Sequence, residues 1–170
     1  MIAAALIVFS GKPGVGKSTI ARVLAKSHDA MLLRVDSIES AMAHVDPDAL
    51  IGNEGYMIAA AITRDALCLN RSVIVDAVND DRWCHELWTD LAMQTGHPLL
   101  PVEVTCSDPA AHRERVEKRQ SDLPGQKLPD WDAARGRFII PWSVPTLRID
   151  SASQSPEYAA RLVAQALNQL

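Results

Sequence analysis

The sequence predicts an α/β fold, with a five-stranded parallel sheet, helices on both faces and a helical lid. Three observations carry that expectation. Short apolar runs alternate with segments of helical periodicity along the chain, the pattern that parallel strands and right-handed crossover helices leave in a sequence. The first run, Ala3–Phe9, is apolar at every position, as a strand covered on both faces must be. The rhythm breaks once, at Gln120–Pro141, where Pro124, Gly125, Pro129 and Pro141 fall among polar residues. An insertion of that size within a compact domain suits a functional lid.

Ala3–Phe9 runs directly into Gly11-Lys12-Pro13-Gly14-Val15-Gly16-Lys17-Ser18, which fills every fixed position of G-x-x-x-x-G-K-[ST]. Gly11, Gly14 and Gly16 allow a tight turn whose N–H groups point inward as an anion nest. The helix that follows adds its positive end to the same spot. Strand, loop and helix context therefore predict a P-loop NTPase that binds a nucleoside triphosphate. Pro13, Val15 and Thr19 complete the cradle, Lys17 reaches the terminal phosphates, and the Ser18 hydroxyl is placed to ligate Mg²⁺.

The helix spans Lys17–Ser27, with Ile20, Val23 and Leu24 on one face. Ala30–Val35 is a second strand with Asp36 at its end, followed by a short helix from Ser37 to His44. A long helix covers Glu54–Leu69, because Tyr56, Ala59, Ala60, Ile62, Ala66 and Leu67 form an apolar stripe. Ser72–Val75 is the third strand and ends in Asp76. A helix from Asp81 to Thr95 stops at Gly96. Leu99–Thr105 is the fourth strand; Pro101 points to a strand start or a less central position. Ser107-Asp108-Pro109 starts a helix carrying Arg113, Arg115 and Arg119. Thr146–Ile149 is the fifth strand, and Pro156–Leu167 closes the chain.

The sequence of 170 residues suits one domain, 1–170, with the lid at about 113–141. It is 48% apolar and 22% charged, the balance of a soluble globular protein. A net charge of -4 argues against a general nucleic-acid or anionic-membrane surface. No stretch approaches the ~20 apolar residues of a membrane span, and the apolar start lacks a basic flank and a cleavage site. Cys68, Cys84 and Cys106 are odd in number and far apart, which reads as reduced thiols in the cytoplasm. Cys68, inside an apolar helical pattern, is expected to be buried.

Ligands of open α/β sheets bind beyond the carboxyl ends of the strands, so Gly11–Thr19, Asp36, Asp76 and the loop Ala77–Asp80 should share one cleft. Asp76 ends an apolar strand as a Walker-B acid does, where it can hold Mg²⁺ directly or through water. Asp36 can cap a helix, or it can accept the proton of a hydroxyl under phosphorylation. Either acid could supply the base; the position of Asp36 beside the phosphate loop favours it. Arg115 and Arg119, four apart, share a helix face and are expected to close over transferring phosphoryl oxygens as the lid shuts, having been held away while the site is empty. The tryptophans read as packing anchors, with Trp131 in the lid also placed to cover a substrate ring.

These residues resemble the small P-loop kinases that include chloramphenicol phosphotransferase, the zeta toxins, gluconate kinase, adenylylsulfate kinase and polynucleotide kinase. The likeness runs in order through Lys17-Ser18-Thr19, Asp36, Gly55-Tyr56, Val75-Asp76-Ala77-Val78-Asn79 and Arg115–Arg119. It implies that Asp36 is the base, that Arg115 packs on adenine beside Ser151, and that Arg119 contacts phosphate. Tyr56, Asn79 and Arg82 become candidate acceptor contacts, within regions Val45–Tyr56 and Ala77–Trp83. Asp36 is followed by Ser37-Ile38-Glu39, without the arginine usual in adenylylsulfate kinases. The expectation is an ATP- and Mg²⁺-dependent kinase acting on a small-molecule hydroxyl. Adenylylsulfate kinase is the alternative within the class, and a nucleotide-hydrolysing switch the alternative outside it. Ala77 after Asp76, where an ATPase would carry Glu, weakens the latter.

Overall fold

Residues 4–48 and 50–170 are described by a computed structural model. The strands β1 (Leu6–Ser10), β2 (Ala30–Arg34), β3 (Ser72–Asp76), β4 (Leu99–Thr105) and β5 (Leu147–Asp150) lie parallel in the order β2-β3-β1-β4-β5. The helices are α1 (Lys17–Ser27), α2 (Val35–Val45), α3 (Glu54–Cys68), α4 (Arg82–Thr95), α5 (Pro109–Lys118), α6 (Trp131–Gly136) and α7 (Pro156–Leu167). Ala3, the predicted start of the first strand, lies outside the described residues.

Side chains alternate along β1, so its unbroken apolar run feeds two cores. Ile7 and Phe9 pack with Ile20 and Leu24 of α1 and Val163 of α7. Leu6 and Val8 pack on the other face with Ala59 and Leu67 of α3 and Trp88 of α4. Each fully buried aliphatic side chain contributes about 1.5–3 kcal/mol, and no residue of β1 is exposed.

Helix ends follow from the sequence. Asp81 accepts from the Cys84 amide at 2.8 Å to cap α4, and Gly96 ends it at φ 69°. Asp108 caps α5 ahead of Pro109.

Several expectations are corrected. β2 stops at Arg34, so Asp36 stands inside the first turn of α2, where its charge complements the helix dipole. Pro101 sits inside β4, opposite Val8. β5 begins only opposite Val102, so the strand still has an open side at the missing N–H. Cys68, the last residue of α3, is exposed. Arg119 lies just past α5 in extended backbone rather than on the helix face of Arg115. Among the described residues no helix is long and apolar enough to cross a membrane.

Candidate active site

The carboxyl ends of β1, β2 and β3 open on one side of the sheet, where a cleft of about 880 Å³ is lined by the phosphate loop, Asp36, Asp76, Arg115 and Arg119. The loop has the backbone that its glycines predict. Gly11, Gly14 and Gly16 have φ of 139°, 79° and 100°, conformations that L side chains rarely adopt. At Gly11 a Cβ would also meet the Val104 carbonyl oxygen at 2.2 Å. The Gly11 amide is tied to Val78 O at 3.0 Å, joining the loop to the end of β3. From the other side, the His112 ring bonds the Pro13 carbonyl at 2.8 Å.

Lys17 folds back over the loop, with Nζ donating to Gly11 O at 2.8 Å and Lys12 O at 2.9 Å. Burial lowers its pKa to about 8, against the opposing pull of Asp76 and Asp36; Arg119 and Arg137 push it further down. A lysine held this way is short of negative charge, and polyphosphate supplies that charge. Ser18 lines the cleft and Asp76 is buried at its floor. A hydroxyl and one carboxylate are the hard oxygen donors that Mg²⁺ takes when phosphates and water complete its shell. No denser group of three His, Cys, Asp or Glu residues exists among the described residues, so the donor set fits Mg²⁺ shared with a nucleotide better than a dedicated protein cage.

Arg115 reaches the turn after β5, donating to Ser151 Oγ at 2.8 Å and Ser151 O at 3.1 Å. The two residues assigned to adenine by resemblance are therefore in contact. Among the described residues Asp36 accepts a single side-chain bond, from Gln126 Nε2 at 2.9 Å. Glu39 lines the same wall, its carboxyl held above the usual range by burial and by Asp36. Gly55 makes room for it, since a Cβ there would lie 2.6 Å from Glu39 Cγ.

Three predicted acceptor contacts are not brought to the cleft. Asn79 is fully buried; its Nδ2 donates to Phe9 O at 2.7 Å and its Oδ1 accepts from Trp88 Nε1 at 2.8 Å. It braces the loop after β3 from within, at φ 47°. The Tyr56 hydroxyl accepts from the Asn79 amide at 3.4 Å, and its ring packs against Trp83 and Trp88. Arg82, the first residue of α4, is exposed and away from the cleft. Trp131 stands edge-on to His112, ring centroids 5.1 Å apart, and does not cover the cleft. Nor do the described residues of the predicted region Val45–Tyr56 form its wall.

The lid segment is seated over the cleft in this structure. Asp122 bonds Arg34 and Arg22, Pro124 O accepts from Ser40 Oγ at 2.8 Å, and Arg137 pairs with Asp80 at 3.3 Å. Its exit is anchored by Trp142, which stacks on His85 at 3.8 Å and donates to Ser10 Oγ at 3.1 Å.

Residues 6–137 carry the sequence pattern of the AAA domain family. The chain belongs to that family. It is 30% identical over 168 residues to the shikimate kinase of Thermobifida fusca (strain YX), spanning 95% of this chain and 94% of that protein. A protein from Chloroflexus aurantiacus j-10-fl shares the fold with a TM-score of 0.76 at 21% identity, over 99% of this chain and 98% of that one. The APS kinase of Mycobacterium tuberculosis, solved with AMPPNP and APS, shares it with a TM-score of 0.67 at 17% identity, over the full length of both chains. This AAA domain has the P-loop kinase fold that the sequence resembles.

Sequence reasoning missed Arg34, Glu39, Asp122 and Gln126 in the cleft of the AAA domain. One signal for Arg34 existed: it ends the second apolar run two residues before Asp36, and the carboxyl end of a strand in such a sheet faces the ligand side. Asp122 and Gln126, in an aperiodic loop, left no pattern to read.

Proposed function

We propose that this AAA domain is an ATP-dependent kinase that transfers the γ-phosphoryl group to a hydroxyl of a small molecule. The observation that carries the reading is Asp36: a carboxylate in the same cleft as the phosphate loop, engaged among the described residues only by an exchangeable amide of the lid. A nucleotide switch needs no such group beside its phosphates.

In this reading the loop amides and Lys17 hold the β- and γ-phosphates, and Arg115 with Ser151 flanks the adenine. Ser18 and Asp76 would hold Mg²⁺, which when bound neutralises phosphate charge. Asp36 takes the proton of the acceptor hydroxyl as its oxygen bonds the γ-phosphorus. The bond from that phosphorus to the β-bridging oxygen breaks, and ADP leaves with the electron pair. Arg119 balances charge on the transferring oxygens.

The test is phosphoryl transfer, followed by ³¹P NMR, to a panel of sugars, hydroxy acids, nucleosides, antibiotics and adenylylsulfate. Asp36→Asn should lower acceptor-dependent turnover by roughly 10²–10⁴ while leaving ATP affinity nearly intact. Collapse of ATP binding with transfer per bound ATP preserved would assign Asp36 to the metal or the fold and leave Asp76 as the base.

A further inference from the structure

The lid occupies the cleft in the manner of a substrate. Arg34 and Asp76 are register partners at the ends of β2 and β3, and the guanidinium Nε lies 3.9 Å from Asp76 Oδ2. That leaves the terminal nitrogens facing the cleft. Both are taken by one carboxylate: Nη1 donates to Asp122 Oδ2 and Nη2 to Asp122 Oδ1, each at 2.9 Å. Arg22 adds a third bond to the same group at 2.6 Å. Four residues on, Gln126 presents an N–H to Asp36, where the proposed reaction needs the acceptor's O–H.

Both contacts belong to one short loop, so they are coupled. An acceptor hydroxyl takes the Oδ2 atom of Asp36 only after Gln126 leaves it, and that departure pulls on Asp122. Arg34 then keeps its 3.9 Å ion pair with Asp76 but loses both acceptors of its terminal nitrogens. Its side chain is only 13% exposed, whereas Asp122 is 54% exposed, and its Nε is already buried without a hydrogen-bond partner. Uncovering a charge in such a place is costly unless another anion takes over. A planar carboxylate is the group whose two oxygens match a guanidinium fork.

Resting on the kinase reading, we infer that the acceptor is a hydroxy acid whose carboxylate replaces Asp122 on the Arg34 fork, with Arg22 assisting, while its hydroxyl replaces Gln126 on Asp36. Asp122 is thus an internal competitor, and Arg34 sets the specificity of the site.

Calorimetry on the full chain saturated with AMPPNP and Mg²⁺ tests this, with D-gluconate, quinate and D-glycerate each compared with its primary amide. Asp122→Asn should bind at least one acid about tenfold more tightly than the wild type does, since the competitor has lost its charge. Arg34→Met should weaken the acid about thirtyfold or more and leave the amide unchanged. Arg34→Lys, which keeps the charge but not the fork, should fall between the two and controls for folding. If Asp122→Asn binds acids and amides alike, or Arg34→Met keeps the preference, the inference is overturned. ATP consumption with the same compounds separates the two claims. Carboxylate-dependent binding without transfer retains the fork and retires the kinase. Transfer to the neutral amides at an undiminished rate retires the fork and retains the kinase.

Discussion

Single residues change meaning once their neighbours are known. Asn79 follows the strand-end acid in the order the family resemblance follows, yet its amide is spent on Phe9 O and Trp88 Nε1. Its side chain holds the loop that holds Gly11, one step removed from the ligand. Cys68 departs from its expected burial in the same way. Cys68 ends α3 in solvent, while Cys84 is buried in the first turn of α4. Burial, with the Asp81 carboxylate beside it, pushes the Cys84 thiol up to about 12. The raised value favours the protonated form in the folded state, so Cys84 stabilises the fold fully below the unfolded thiol range. That contribution is lost as pH rises toward 12. Alkylation of the native protein at pH 8–9 should therefore label Cys68 quickly and leave Cys84 untouched until the chain is denatured. Peptide mapping of the labelled cysteines gives the check, and rapid native labelling of Cys84 would contradict its burial.

At the scale of elements, the phosphate loop is the part most fully specified by its own residues. Its glycines are needed for different reasons, and substitution separates them. At Gly16 a Cβ meets nothing nearer than 3.8 Å, so Gly16→Ala suffers only the left-handed backbone, about 1–2 kcal/mol. At Gly11 the same backbone problem is joined by the 2.2 Å approach to Val104 O, between β1 and β4. Gly11→Ala should lower the melting temperature more than Gly16→Ala, and should abolish nucleotide binding because the loop must move off β4. Equal losses in thermal unfolding would mean that the close approach is relieved without cost. The central strands β1 and β3 were legible for a similar reason: residues buried on two faces must be apolar throughout. The boundary between β2 and α2 was not. Val35 suits a strand as well as a helix, and packing on α3 and β3, rather than propensity, decided it.

For the molecule as a whole, the question is how one chain both shields and admits its substrates. The lid is fixed at its exit by Trp142 on His85 and by Arg137 on Asp80. Its middle is held by polar contacts to Arg22, Arg34, Asp36 and Ser40. Contacts of that kind exchange for ligand contacts at small net cost, whereas the stacked exit does not. Hydrogen exchange should therefore show residues 120–129 losing protection when the acceptor takes the places of Asp122 and Gln126, with residues 138–142 protected throughout. Arg119→Ala should reduce turnover far more than it weakens ATP binding, because its contact with the transferring group forms in the ternary complex. Uniform protection of 120–142 with and without both ligands would make the segment fixed structure.

The sequence by itself determined the sheet, the phosphate loop and the group of kinases to which the fold belongs. Those features rest on local rules: apolar continuity in doubly covered strands, glycine where φ is positive, a hydroxyl and a lysine at fixed offsets from an anion nest. It also placed Lys17, Ser18, Asp36, Asp76, Arg115, Arg119 and Ser151, all of which line the cleft or touch a residue that does. Only the tertiary structure decided the acceptor wall. Strand order sets Arg34 beside Asp76 although 42 positions in the numbering separate them, and the lid carries Asp122 and Gln126 back across the chain to Arg34 and Asp36. Side chains that meet through crossovers and loops need share no period or spacing, so no pattern along the chain records their meeting.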